Sequence, residues 1–177
     1  MDVQAYLLDL LKYIIAGLCV FFPGWFVVKS YLEDAAISKQ FELQKAAQAQ
    51  TLPLRLQAYE RMILFLERIN PANLLIRLHV SGMSAHEMHH IILADIRNEY
   101  QHNLSQQLYV TNHAWAIVKK IKEDTISLVN NAVNSLPENA SGVDLSKAIL
   151  NHLANLEGEN PYETALVYIK RDIQQQF

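Results

Sequence analysis

Residues 13–28 read YIIAGLCVFFPGWFVV, sixteen positions without a charge, bracketed by Lys12 and Lys29. Leu7, Leu8, Leu10 and Leu11 lengthen the apolar stretch on its upstream side. The result is a span of roughly 20 residues, enough for an α-helix to cross a hydrocarbon core if Lys12 draws its ammonium outward along its own methylenes. Tyr6 and Tyr13 at one end, and Trp25 and Tyr31 at the other, stand where amphipathic rings settle at headgroup depth. A cleaved leader would carry a basic start and a small-residue cleavage site. This chain instead opens MDVQAYLLDLLK, with Asp2 and Asp9, and no A-x-A follows. The helix is therefore expected to persist as an anchor, in contact with the lipid bilayer through residues 10–28. Pro23-Gly24 is expected to kink it, a distortion membrane helices tolerate. The competing reading is a buried core helix of a soluble domain, which so short an uncharged run also permits.

Working outward, only Lys12 precedes the span, whereas Lys29, Lys39 and Lys45 follow it within about 20 residues. That asymmetry places the N-terminus outside and the C-terminal mass in the cytoplasm, at the cell (inner) membrane. The chain has 177 residues, 51% hydrophobic and 19% charged, and a mean hydropathy of +0.02, which fits one domain plus an anchor. Five glycines and five prolines leave few of the tight turns an all-β architecture requires. Net charge is −3 and the bases are scattered, apart from Lys119, Lys120 and Lys122, so no electrostatic footprint for nucleic acid is present. The single cysteine, Cys19, lies inside the apolar run, which excludes a disulfide framework and a thiolate metal site.

Downstream of the anchor, residues 31–50 are rich in Ala, Gln, Glu and Lys, with a thin apolar stripe of Leu32, Ala36, Leu43 and Ala46. They read as a connecting helix that Thr51-Leu52-Pro53 interrupts. Leu54 to Ile69 carries Leu56, Tyr59, Ile63 and Leu66 on one face, with Ala58, Met62, Phe65 and Ile69 beside it, wide enough for a core. Asn70-Pro71 starts a short helix expected to stop at Gly82, and Ser84 with Glu87 forms a capping box for the next, whose stripe is Met88, Ile92, Ile96 and Tyr100. Thr111 or Asn112 caps a long helix with Ala114, Val118, Ile121, Thr125, Leu128 and Ala132 at alternating spacings of four and three. Two further helices run from Val143 to Leu156 and from Pro161, capped by Asn160, to about Gln175. The expected fold is all-α, with a transmembrane anchor at 1–32, a connecting helix at 33–52 and a cytoplasmic bundle of about five or six helices at 53–177.

The runs Arg55-Leu56-Gln57-Ala58-Tyr59-Glu60-Arg61, Leu64-Phe65-Leu66-Glu67-Arg68-Ile69-Asn70-Pro71 and Glu99-Tyr100-Gln101-His102-Asn103-Leu104-Ser105-Gln106-Gln107-x-Tyr109 resemble an uncharacterised family of small bacterial single-span, membrane-anchored helical proteins. The likeness covers nearly the whole chain. It implies the same architecture and carries no assigned chemistry, so no active site follows from it.

His86-Glu87-Met88-His89-His90 matches H-E-x-x-H, which sets two imidazoles on one helix face for zinc and a carboxylate to activate water. A catalytic zinc needs a third protein ligand, and Glu87 already belongs to the capping box. Glu87-x-x-His90 and Glu99-x-x-His102 both match the element of di-iron bundles, yet they lie on one expected helix about 18 Å apart. Glu99, His102, Asn103, Gln106, Gln107 and Tyr109 make the densest run of donors and acceptors, readable as a locally satisfied turn or as an interaction patch. Lys119-Lys120-x-Lys122 is read as a solvated helix face, balanced by Glu123 and Asp124. No nucleophile elbow or phosphate-binding glycine loop occurs. The expected role is a membrane-anchored scaffold, adaptor or complex subunit acting through protein contacts, with a protein partner or a second copy of itself, no nucleic acid and no cofactor. The alternative is a membrane-tethered zinc hydrolase using His86 and His90, with Glu87 as base.

Overall fold

Helix α1 runs from Val3 to Ile69 in the computed structural model, which describes residues 3–155 and 158–175, without the side chains of residues 3–6, 8 and 9. It is followed by α2 (Pro71–Leu78), α3 (Ala85–Asn103), a 3₁₀ turn (Leu104–Leu108), α4 (Asn112–Asn134), α5 (Gly142–Ala154) and α6 (Pro161–Gln174). Among the described residues there is no strand, and the all-α class is established. Contacts divide the chain into two units, one ending at Thr51 and one beginning at Leu52.

In the first unit every described side chain from Leu10 to Thr51 is exposed. Tyr13, Val20, Phe26 and Tyr31 are each more than 70% exposed. The helix there is long and apolar enough to cross a membrane, with a mean hydropathy of 1.9 over its most apolar window and none of that window buried. The reading as a buried core helix therefore fails within this chain. Of the four ring residues expected at headgroup depth, Tyr13, Trp25 and Tyr31 stand exposed, and the Tyr6 side chain lies outside the described ones.

The expected break at Thr51-Leu52-Pro53 is absent, because α1 continues through it. A proline removes only its own N–H and crowds the carbonyl four residues back. Here the Thr51 hydroxyl is within hydrogen-bonding reach of two neighbouring carbonyls, at 3.1 Å from Ala47 O and 3.3 Å from Gln48 O. The carbonyl that Pro53 leaves without an N–H is that of Ala49, four residues back, and α1 continues on both sides of that one missing bond. The helix stops at Ile69 because Asn70, standing before Pro71, turns out of the helical region to ψ 123°. The last regular bond runs from Asn70 N–H to Leu66 O at 3.1 Å, and the carbonyls beyond it accept from side chains, Glu67 O from the Asn73 amide at 2.9 Å and Arg68 O from the Arg77 guanidinium at 3.2 Å. The Asn70 side chain then caps α2, with Pro71 in its first turn.

In the second unit α3 packs against α2, α4 and α5, and α4 also against α5 and α6. One hydrophobic core joins all six helices, with Met62, Phe65, Leu74, Met88, Ile92, Val118, Leu145 and Ile169 at its centre. On α1 the face that enters it is Ala58, Tyr59, Met62, Phe65, Leu66 and Ile69, whereas Leu56 is 42% exposed. On α4 the buried face passes from Thr125 to Val129, and Leu128 is only half-buried. A strict 3.5-residue seam drifts by about 20° per heptad on a straight helix, and α4 follows the 3.6-residue period. Helix α2 ends at Leu78, earlier than expected, and Gly82 sits in the following turn at φ +84°, a conformation that favours glycine. Leu156, the expected end of α5, lies outside the described residues.

The starts of α3 and α5 are clasped together. Ala85 N–H donates to Ala140 O at 2.9 Å and Gly142 N–H to Met83 O at 2.8 Å, a single antiparallel bridge between Ser84 and Ser141. Each helix opens on its own capping box, Ser84 with Glu87 and Ser141 with Asp144. A side chain on Gly142 would meet Met88 Sδ at 3.0 Å and Met83 O at 3.2 Å, so the close approach depends on its having none.

Candidate functional site

Two helix faces meet in a groove of about 280 Å³. Helix α1 presents Arg61, Leu64, Phe65 and Arg68, at i, i+3, i+4 and i+7. The last turns of α3 present Asn98, Glu99, His102 and Asn103, at i, i+1, i+4 and i+5. Arg68 Nη2 stands 2.9 Å from Glu99 Oε1, the carboxylate side chain being only 17% exposed. Arg61 is exposed and makes no ion pair among the described residues. His102 Nδ1 donates to Asn98 O at 3.1 Å, which leaves Nε2 of a neutral ring as an acceptor. Asn103 is 7% exposed, and its amide nitrogen donates to Glu99 O at 2.8 Å.

The floor of the groove is held by aromatic packing. Phe65, 1% exposed, lies 6.1 Å from the Tyr100 ring, and Tyr100 stacks on Trp115 at 5.5 Å. Lys122 Nζ sits 4.2 Å from the centre of the Tyr100 ring, a cation–π contact worth about 0.5–2 kcal/mol. Lys122 is thus packed, with its side chain 14% exposed and 2.7 Å from Glu123. Lys120 pairs with Asp124 at 2.6 Å. The three-lysine cluster is accordingly not a uniformly solvated face, since α3 supplies an aromatic ring that takes Lys122 out of it.

Of the residues read as an interaction patch, Glu99, His102 and Asn103 are brought together in this groove. Gln106, Gln107 and Tyr109 lie on and just after the 3₁₀ turn, outside its lining. The sequence reading missed Arg61 and Arg68. Their seven-residue spacing on the flank of the α1 core face was the available signal.

His86 and His90 are both exposed in the first turns of α3. The Glu87 carboxylate accepts from Ser84 N–H at 2.9 Å and from the Ser84 hydroxyl at 2.8 Å. The Ser84 backbone bond, with the hydroxyl bond behind it, holds its pKa below the usual carboxylate value. A carboxylate stabilised as an anion in this way is a weaker base. Among the described residues no group of three or more His, Cys, Asp or Glu is placed to hold a metal ion. His89 points inward, with Nε2 2.8 Å from Asn130 Oδ1, and its buried Nδ1 has no partner among the described residues. The two E-x-x-H elements share the single helix α3.

Two buried polar nodes tie the bundle together. The Tyr59 hydroxyl and the Thr111 hydroxyl, the latter at 2.7 Å, both donate to Asp172 Oδ2. Thr111 also caps α4 by accepting from Ala114 N–H at 3.1 Å. Burial, reinforced by the Asp172 bond, raises the Tyr59 pKa above its ordinary value. The Thr125 hydroxyl donates to Ile121 O at 2.6 Å, so the Tyr162 hydroxyl is the donor in their 2.7 Å contact. Burial pushes Tyr162 up to about 12.

No curated protein and no solved structure matches the chain. A family model, described as Family of unknown function (DUF7935), matches residues 5–176, and the chain belongs to that family.

Proposed function

We propose that this member of the DUF7935 family is a single-span protein of the cell membrane whose helical bundle works on the cytoplasmic side as an adaptor, scaffold or complex subunit. One observation carries the reading: apolar side chains of the same kinds are exposed without exception from Leu10 to Val28 and buried in the bundle. Water disfavours the first arrangement and lipid favours it. Lysines at 29, 39 and 45, against Lys12 alone on the other side, support the N-out, C-in orientation. Protein contact as the mode of action draws support from the groove of α1 and α3, which offers an uncompensated guanidinium beside Leu64, itself 52% exposed.

The test is a pair of C-terminal fusions, one to alkaline phosphatase and one to a fluorescent protein that matures in the cytoplasm. Fluorescence without phosphatase activity is the expected result. Phosphatase activity alone reverses the orientation, and a full-length chain that stays soluble without detergent removes the anchor.

A further inference from the structure

We propose that the groove between α1 and α3 seats an acidic segment of a partner protein, with a carboxylate on Arg61 and an adjacent aliphatic side chain against Leu64. The inference rests on the adaptor reading above and names the chemistry of its partner. Charge is the first argument. The groove holds two guanidiniums and one carboxylate, and that carboxylate, Glu99, is engaged by Arg68 at 2.9 Å. The positive charge left over is on Arg61, to which no carboxylate among the described residues comes within ion-pairing distance, in a chain that carries 18 acidic against 15 basic side chains. A planar guanidinium with its donors unfilled is built for bidentate capture of a carboxylate.

Size is the second argument. A volume of about 280 Å³, at the low end of binding-site sizes of roughly 300–1,000 Å³, has room for a few side chains of a peptide. The third argument is the mixture of groups. Leu64 gives an exposed apolar wall, while His102 Nε2 and Asn103 Oδ1 make no hydrogen bond among the described residues and offer acceptors for peptide N–H groups. A nucleic-acid strand would need several free cations, and this groove has one.

The test uses the full-length protein in detergent and three fluorescein-labelled peptides that differ only at a central pair, Leu-Glu-Glu-Leu, Leu-Gln-Gln-Leu and Leu-Lys-Lys-Leu, with binding read by anisotropy. The glutamate peptide is expected to bind about tenfold more tightly than the glutamine peptide, equivalent to about 1.4 kcal/mol. Arg61→Glu should lose that preference and transfer it to the lysine peptide, while Lys119→Glu at an exposed position of α4 leaves it in place. Equal binding of the glutamate and glutamine peptides, or a preference that survives Arg61→Glu, overturns the proposal. A photoreactive amino acid at position 64, irradiated in intact cells, then separates the two claims. Protein adducts alongside failed peptides overturn the acidic partner and leave the adaptor reading standing. Failure of both removes the groove from the adaptor reading as well.

Discussion

Phe26 is 75% exposed and Phe65 1%; Leu18 is 46% exposed and Leu66 0%. The same side chains take opposite environments in the two units of one chain, and what separates them is the presence of other helices. From Leu52 onward an apolar face on one helix meets complementary faces on the rest. Among the described residues up to Thr51 there is one helix and no other element. An isolated helix in water is marginal even when its residues favour the conformation. In lipid its uncharged stretch from Tyr13 to Val28 would satisfy every backbone group internally and meet an apolar surrounding on every face. The contrast teaches that apolar content does not decide burial by itself, since the solvent on the other side does.

Severing the chain between the two units is the largest perturbation. Residues 52–177 alone are expected to be soluble, monodisperse and helical by circular dichroism, while the full chain sediments with membranes until detergent is added. Aggregation of the shorter chain would break the comparison by showing that the bundle needs the first unit. Leu18→Arg with Phe22→Arg should cost roughly 5–7 kcal/mol of insertion free energy and shift the full chain out of the membrane fraction.

Next in size is a paired truncation. Phe65→Ala removes a ring from the bundle core and should cost about 3–5 kcal/mol in chemical denaturation, whereas Phe22→Ala should leave the bundle's unfolding midpoint where it is. A third measurement uses alkali. Below pH 10 Tyr162 is protonated in both folded and unfolded chains. Between 10 and about 12 the unfolded chain ionises first, so stability falls as pH rises, by about 3 kcal/mol across the window. Tyr162→Phe should flatten that decline while lowering stability at neutral pH by about 1 kcal/mol for the lost hydrogen bond. A slope unchanged in the variant would show that Tyr162 ionises normally in the fold. The smallest effects belong to the two capping boxes, where Ser84→Ala and Ser141→Ala should each cost about 1 kcal/mol.

What could be read from the sequence was local. The Ser84 and Glu87 box, the Thr111 cap and the Asn160-Pro161 start each depend on residues within four positions of one another, and all three occupy their expected places. The stripe Met88, Ile92, Ile96 on α3 was legible for the same reason. The continuation of α1 through Pro53 was not, because its outcome turns on how the neighbouring carbonyls are satisfied. Nor was the placement of Lys122, which depends on a tyrosine of another helix. In the groove, Glu99, His102 and Asn103 were singled out by polarity alone. Arg61 and Arg68 escaped because they come from a different helix, and nothing in spacing along the chain announces which helices will be neighbours.

The node that joins Tyr59 to Asp172 spans 113 positions, and that distance also counts as time. A ribosome adding about 5–20 residues per second needs roughly 6 to 20 s to deliver Asp172 after Tyr59. Through that interval the apolar face of Met62, Phe65 and Leu66 still waits for its cover. The last helix to be made is therefore the one that closes the fold. A nascent chain that stalls before α6 should be the aggregation-prone and chaperone-dependent form of this protein, visible as a protease-sensitive species that vanishes once residue 172 has emerged.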